Sequence, residues 1–238
     1  MSRNIVIIGA SGTIGSSLVN IYKKDSDNQV YAFSRGYNYQ RDANLIMDDI
    51  DILDEESMQK IVMKYFTECS VDILIIATGL LHNEIIFPEK SIREISLKKF
   101  QTVFNINTFA PALIFKHFFN SISRERKSVF AAFSARVGSI SDNKIGGWHS
   151  YRASKSALNM IIKNFSIEIS RKYKNNIIVG LHPGTVDSKL SKPFQKNVPT
   201  EKLFSGEYSA LKIVKVLDSL SIQDTGKCFD FNSLEVFP

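Results

Sequence analysis

The stretch Ile5–Val19, IVIIGASGTIGSSLV, decides the fold. Its first residues, IVIIG, are a short apolar run closed by glycine, the pattern of a buried strand. Three glycines follow at equal spacing, Gly9, Gly12 and Gly15, and from Ile14 to Tyr22 the apolar residues recur at helical spacing. In a strand–turn–helix the first glycine permits a tight turn, one lets the backbone approach a pyrophosphate, and the last lets the helix pack close to the strand. Free N–H groups at the helix start, at the positive end of its dipole, then suit phosphate. A glycine triplet alone is weak, but the strand before it and the helix after it supply the confirming context. The candidate nucleotide contacts here are Gly9, Ser11, Gly12, Thr13, Ile14 and Gly15.

Outward from this turn, the same alternation continues. Strands are expected at VYAFS (Val30–Ser34), NLIMD, VDILIIATG (Val71–Gly79), SVFAAFS (Ser128–Ser134), NIIVGLHPG (Asn176–Gly184) and KCFDF. Helices are expected over Glu55–Phe66, Leu97–Phe119, Tyr151 to about Arg171 and roughly Glu207–Leu220. Strand and helix in alternation predict an α/β fold: a doubly wound parallel sheet with helices on both faces, in a single domain over residues 1–238. The near-continuous apolar strands agree, because such strands are covered on both sides. The polar segment 189–205, KLSKPFQKNVPTEKLFS, is long for a connection and is expected to be a substrate lid.

Composition excludes several classes. The chain has 238 residues, 44% hydrophobic and 23% charged, which suits one globular domain with a substantial core. Thirty basic and 24 acidic side chains give a formal charge of +6. The basic residues are scattered and not interleaved with aromatics, so no nucleic-acid partner is expected, whereas a phosphate-bearing small molecule would be attracted. Cys69 and Cys228 have no neighbouring ligand pattern, so neither a metal nor a disulfide is expected. No apolar run reaches membrane-spanning length and the N-terminus reads as a strand, so a cytoplasmic protein without a membrane partner is the expectation.

Two further stretches carry chemistry. At the end of the second strand, FSRGY offers Ser34 and Arg35, and no acid occurs from Val30 to Arg41. A ribose 2′-hydroxyl is usually gripped by an acid at this place, whereas Ser34 and Arg35 suit a 2′-phosphate. NADP is therefore expected over NAD, which stays possible. In WHSYRASKSALNM (Trp148–Met160), Tyr151 and Lys155 are separated by one helical turn and share a face. A cation beside a phenol favours phenolate and lowers the phenol's pKa, which would let Tyr151 exchange a proton with a substrate near neutral pH.

GASGTIG, YRASK and HPGTVDSKL together resemble the short-chain dehydrogenase/reductase family. The longer block SARVGSISDN…GGWHSYRASKSALNM…HPGTVDSKLSKPFQ is similar to its C-factor group, which includes sniffer-type carbonyl reductases. The resemblance runs over nearly the whole chain, Asn4–Pro238. It implies a Rossmann fold and a carbonyl reductase or alcohol dehydrogenase acting on a small ketone, aldehyde or quinone, with Tyr151 as acid/base and Lys155 on the nicotinamide ribose. It implies a catalytic Asn107 in FNINTFAP. Pro111 has no N–H, so it cannot bond the carbonyl of Asn107, which is then free to hold a water linking Lys155 to solvent. The resemblance also assigns Pro183, Gly184, Val186 and Ser188 to the nicotinamide carboxamide and Asp51 and Ile52 to the adenine. Ala77, Thr78 and Gly79 stand where the family has Asn-Ala-Gly. Relatives form homodimers or homotetramers, so an oligomer is expected.

Two departures stand out. Thr13 occupies the place of the middle glycine of the family turn, and its Cβ restricts how closely backbone meets phosphate. The family serine that bonds the substrate oxygen aligns with Ala135 in SARVG. Ser134 is the expected replacement and Ser139 the alternative; since neighbouring strand residues face opposite ways, Ser134 can serve only if the strand has ended or bulges there. Ala135 also motivates the alternative function, a nucleotide-binding signalling or scaffold protein with weak or no turnover. An extended-type epimerase or dehydratase is excluded by chain length. Trp148, His149 and Asn143 are expected near the substrate wall, Phe194 in the lid, and His82 and His182 in structural or solvated positions.

Overall fold

In the computed structural model, which describes residues 2–238, the apolar runs of the sequence form one eight-stranded sheet. Its strands are β1 (Arg3–Ile8), β2 (Asn28–Phe33), β3 (Gln40–Asp42), β4 (Leu45–Asp48), β5 (Ile73–Ile76), β6 (Ser128–Phe133), β7 (Asn176–His182) and β10 (Cys228–Asp230). Their order across the sheet is β10-β7-β6-β5-β1-β2-β4-β3. All pairs are parallel except β3, which runs antiparallel to β4 at the edge. The sequence carries no signal for β3, since Gln40–Asp42 is polar and exposed, as an edge strand can be. Strands β8 (Thr185–Val186) and β9 (Leu203–Phe204) form a separate small ladder.

Ile5, Val6, Ile7 and Ile8 of β1 are wholly buried because helices cover both faces. On one face β1 and its neighbours pack against α1 (Thr13–Tyr22) and α6 (Gly206–Ser219). On the other they pack against α2 (Glu55–Tyr65), α4 (Ala110–Phe118) and α5 (His149–Lys172). The chain runs outward from β1 in one direction through β2 and then from β5 in the other. The crevice where these two halves part, at the carboxyl ends of β1 and β5, is where ligands bind in such sheets.

The expected helix over Leu97–Phe119 is not continuous. Helix α3 (Leu97–Phe104) passes into a π turn over Asn105–Phe109 before α4 begins, and Ala110 N–H bonds back to the Asn105 carbonyl. Pro111 supplies the cause: lacking an N–H it cannot continue the α ladder, and the wider turn absorbs the mismatch.

Side chains cap the starts of α2, α3 and α6, where Asp54, Ser96 and Ser205 accept backbone N–H groups. Helices α1 and α5 have no such cap of their own. Both begin at the crevice.

Candidate active site

A cavity of about 520 Å³ opens at the crevice. Ser11, Gly12, Thr13 and Ile14 form its wall at the start of α1, and Ala77, Thr78 and Gly79 its wall after β5. Tyr151 and Lys155 enter from α5, and Pro183, Gly184, Val186 and Ser188 from the segment after β7. The sequence-predicted residues on these four segments are thus brought to one space.

Backbone geometry explains the glycines. Gly9 has φ +88°, which favours glycine, and a Cβ there would lie 2.9 Å from Thr78 Cγ2. A Cβ at Gly15 would lie 2.2 Å from the Gly9 carbonyl oxygen. Gly9 and Gly15 therefore shape the turn from behind and do not line the cavity. Thr13, in the middle-glycine place, packs against the start of α6, where a Cβ on Gly206 would lie 2.7 Å from its Cγ2. Gly184 has φ +80° and passes so close to Phe204 that a Cβ would lie 2.7 Å from the ring.

Ser34, Arg35, Asp51 and Ile52 lie outside the cavity wall. Ser34 is tied to it, its Oγ 2.5 Å from Ser11 Oγ. Arg35 is exposed just beyond. The Asp51 carboxylate accepts from Leu53 N–H, and Ile52 packs against the core. The sequence shows no acid along the second strand, yet the structure brings one from just beyond β4: the Asp49 carboxylate accepts from Gly36 N–H.

Asn107 is fully buried in the π turn. Its Oδ1 accepts from Leu80 N–H at 2.8 Å, and its Nδ2 donates to the Leu80 carbonyl at 2.8 Å and to Ser154 Oγ at 3.1 Å. It thereby clamps the chain leaving β5 to the helix that carries Tyr151. A Cβ on Gly79 would lie 3.8 Å from both Asn107 Oδ1 and Lys155 Nζ, so these three positions meet.

Tyr151 and Lys155 share a face of α5 as expected, with Nζ 5.8 Å from the centre of the phenol ring. The expected electrostatics is overturned. Lys155 Nζ donates to the Phe133 carbonyl at 2.7 Å, and burial pushes its pKa down to about 7. Burial likewise pushes the Tyr151 phenol up to about 12. Desolvation disfavours the charged form of each group, and here it outweighs any attraction between them. The phenol thus holds its proton at neutral pH, and its hydroxyl bonds no other protein group among the described residues.

Ser134 follows immediately after β6 and touches the cavity, but its hydroxyl donates to Asn159 Oδ1 at 2.6 Å. Ser139 is buried against Ser141 and the Asp142 N–H, away from the cavity. Ala135 instead packs in a cluster with Tyr151, Leu81 and Leu190. Trp148 and Phe194 complete that wall, with ring centres 5.0 Å apart. Phe194 belongs to the segment expected to be a lid, which folds into short 3-10 turns over Lys192–Asn197 and Thr200–Lys202. Leu190 falls in the segment expected to be a lid, whereas Leu81 and Val137, isolated apolar residues in irregular segments, carry no periodic signal. His182, expected in a structural or solvated position, borders the cavity. His149 and Asn143 are not on the cavity wall.

Among the described residues no helix is long and apolar enough to cross a membrane, and no cluster of side chains could hold a metal.

Comparison with known proteins agrees with this architecture. The family model for short chain dehydrogenases matches residues 3–199. Among curated proteins, 1-hydroxy-2-glutathionyl-2-methyl-3-butene dehydrogenase of Rhodococcus sp. (strain AD45) is 37% identical over 95 residues, 40% of this chain and 39% of that protein. The match therefore spans about two fifths of that relative's length. The C-signal protein of Myxococcus xanthus is 28% identical over 133 residues, 56% of this chain and 75% of that one. Of solved structures, the NADPH-bound carbonyl reductase from chicken fatty liver superposes with a TM-score of 0.86 at 23% identity, covering 100% of this chain and 99% of that chain. The carbonyl reductase Sniffer of D. melanogaster gives 0.85 at 18% identity, covering both chains completely. These likenesses are of fold, whereas the family match extends over most of the sequence; the chain belongs to the short-chain dehydrogenase family.

Proposed function

We propose that the protein is an NADP-dependent carbonyl reductase, working in reverse as an alcohol dehydrogenase, on a small ketone, aldehyde or quinone. The observation that carries this reading is the protonated, unpartnered Tyr151 hydroxyl in a cavity that also contains the glycine turn.

The residues present fit a dinucleotide. Helix α1 starts without a side-chain cap, so its first N–H groups are left for phosphate. Thr78 Oγ1 is buried without a partner beside the turn, as expected of a group that awaits a ligand. Ser34 and Arg35 would meet a 2′-phosphate, and Pro183, Gly184, Val186 and Ser188 the carboxamide. When bound, the cofactor supplies or accepts the hydride.

The protein's own part is proton transfer and placement. Tyr151 gives its proton to the carbonyl oxygen during reduction, and burial suits it to that direction at neutral pH because the phenol arrives protonated. Lys155, held by the Phe133 carbonyl, would hold the nicotinamide ribose, and a water on the Asn107 carbonyl would carry the replacement proton from solvent to Lys155 and on to Tyr151. Asn107 holds the Leu80 backbone and α5 in fixed relation. The substrate oxygen meets no serine hydroxyl: Ser134 is engaged with Asn159, and Ala135 presents a methyl group. Leu81, Ala135, Trp148 and Phe194 offer an apolar wall for the organic part of the substrate, and segment 189–205 acts as its lid. Exposed Phe109, Met160 and Ile167 offer apolar contact for a homodimer or homotetramer.

Ala135 favours a second reading, a nucleotide-binding signalling or scaffold protein with little turnover. Purified protein mixed with NADPH and a panel of ketones, aldehydes and quinones, followed by cofactor absorbance, separates the two. Oxidation of NADPH dependent on a carbonyl supports the enzyme; tight NADPH binding with no turnover on any compound supports the alternative.

A further inference from the structure

Tyr151 is the third residue of α5, and the way that helix begins is unusual. Gly146, Gly147 and Trp148 have φ of +69°, +64° and +50°, three consecutive left-handed residues. Two are glycines, which adopt this freely, but Trp148 is not, and L side chains disfavour it. Trp148 is also the N-cap, and its side chain accepts nothing from the helix.

A carboxylate from elsewhere in the chain supplies what the helix lacks. Glu89, in the loop between β5 and α3, is completely buried. Its backbone carbonyl accepts from Trp148 N–H at 2.5 Å. Its Oε2 accepts from Ser150 N–H at 3.1 Å and from Ser150 Oγ at 3.0 Å. Three bonds from one residue therefore hold the two positions that flank His149 at the helix entry. A carboxylate at the start of a helix also faces the positive end of its dipole. The other oxygen, Oε1, has no hydrogen-bond partner. A fully buried acid with one oxygen unsatisfied is costly, and surface acids at helix starts need no such burial.

What this cap holds in place is the substrate side of the cavity. Ser150 immediately precedes Tyr151, and Trp148 packs edge-on against the Tyr151 ring with centres 6.2 Å apart. Trp148 also reaches Phe194 in segment 189–205. We infer that Glu89 is a positioning residue, which fixes the left-handed entry of α5 and through it the Tyr151 hydroxyl and the Trp148 wall. This rests on the reading of Tyr151 as proton donor for its kinetic consequence, but not for its structural one.

Trp148 is the only tryptophan in the chain, so its fluorescence reports the entry directly, with or without turnover. Glu89→Ala is expected to shift Trp148 emission to the red and increase its quenching by acrylamide. It is also expected to lower kcat by roughly ten- to a hundredfold, the scale of a small misplacement of a reacting group, with NADPH affinity within about twofold because the glycine turn is a separate segment. Glu89→Gln keeps an acceptor within reach of Ser150 and is expected to restore wild-type emission and recover most of the lost kcat. Wild-type emission and kcat in Glu89→Ala would overturn the inference, as would a Gln variant as slow and as red-shifted as the alanine one. If Glu89→Ala does not unfold cooperatively, Glu89→Asp decides, since its shorter side chain loses the Ser150 bonds: shifted emission supports the inference and unshifted emission overturns it. An emission shift in a protein that turns over no carbonyl would uphold the positioning role while removing the proposed activity.

Discussion

On one side of Tyr151 the cavity is built around a backbone turn; on the other it is built from apolar side chains. The glycine turn and the start of α1 present backbone N–H groups, and Gly15 leaves no room for anything larger. Opposite them stand Ala135, Trp148, Leu190 and Phe194, contributed by irregular segments and by the entry of α5. The first side is fixed by steric necessity: a turn between a buried strand and a helix that packs this closely has few solutions. The second is fixed by which way individual side chains face. A wall of the first kind suits a ligand common to many enzymes, and one of the second kind suits a substrate particular to this one.

The largest test of that contrast strikes the backbone side. Gly15→Ala would place a Cβ 2.2 Å from the Gly9 carbonyl oxygen, so the turn or α1 must move. Overpacking of this kind is expected to weaken NADPH binding by roughly ten- to a hundredfold, measured by titrating cofactor fluorescence. Unaltered affinity would mean that the turn is not the phosphate site. Next in size is the edge of the same region. Arg35→Asp removes a charge-assisted contact and installs a repulsive one, and is expected to weaken NADPH by roughly tenfold or more while sparing NADH. An unchanged preference for the two cofactors would show that the 2′-phosphate is met elsewhere.

The smallest effects are expected on the side-chain wall. Ala135→Ser would put a hydroxyl into the cluster around Tyr151. It is expected to raise kcat by roughly two- to tenfold, less than the loss seen when a built-in oxyanion donor is removed. Ser134→Ala, by contrast, should leave kcat within about twofold in steady-state assays, since its hydroxyl is already spent on Asn159. A large loss in that variant would restore Ser134 to the reaction.

The contrast also explains what could be read from the sequence. The α/β architecture, the strands and the glycine turn were legible because each rests on a period or a spacing, and Tyr151 and Lys155 because one helical turn separates them. Edge strand β3 was not, being three polar residues without a pattern. The break before α4 was legible only as a helical bond missing at Pro111, not as a π turn. Asp49 was invisible as a neighbour of Gly36 because it comes from the turn after a different strand, β4. The facing of Ser134 depends on β6 ending at Phe133, and strand ends are what a pattern locates least well. Glu89 looked like any acid in a polar loop, since nothing in FPEKS announces a fully buried carboxylate. The charge states of Tyr151 and Lys155 escaped for a related reason: proximity is visible in a spacing, but burial, which decides both, is a property of the assembled fold.

The most direct test is to compare the wild-type protein with Tyr151→Phe at neutral pH, following NADPH absorbance with the best carbonyl of the panel while measuring NADPH affinity on the same samples. The phenylalanine keeps the ring against Trp148 and removes only the hydroxyl. Loss of at least about a hundredfold in kcat, with affinity for NADPH unchanged within about threefold, is the predicted result. Turnover in the variant close to that of the wild type would contradict the account, because the proton would then be coming from some other group.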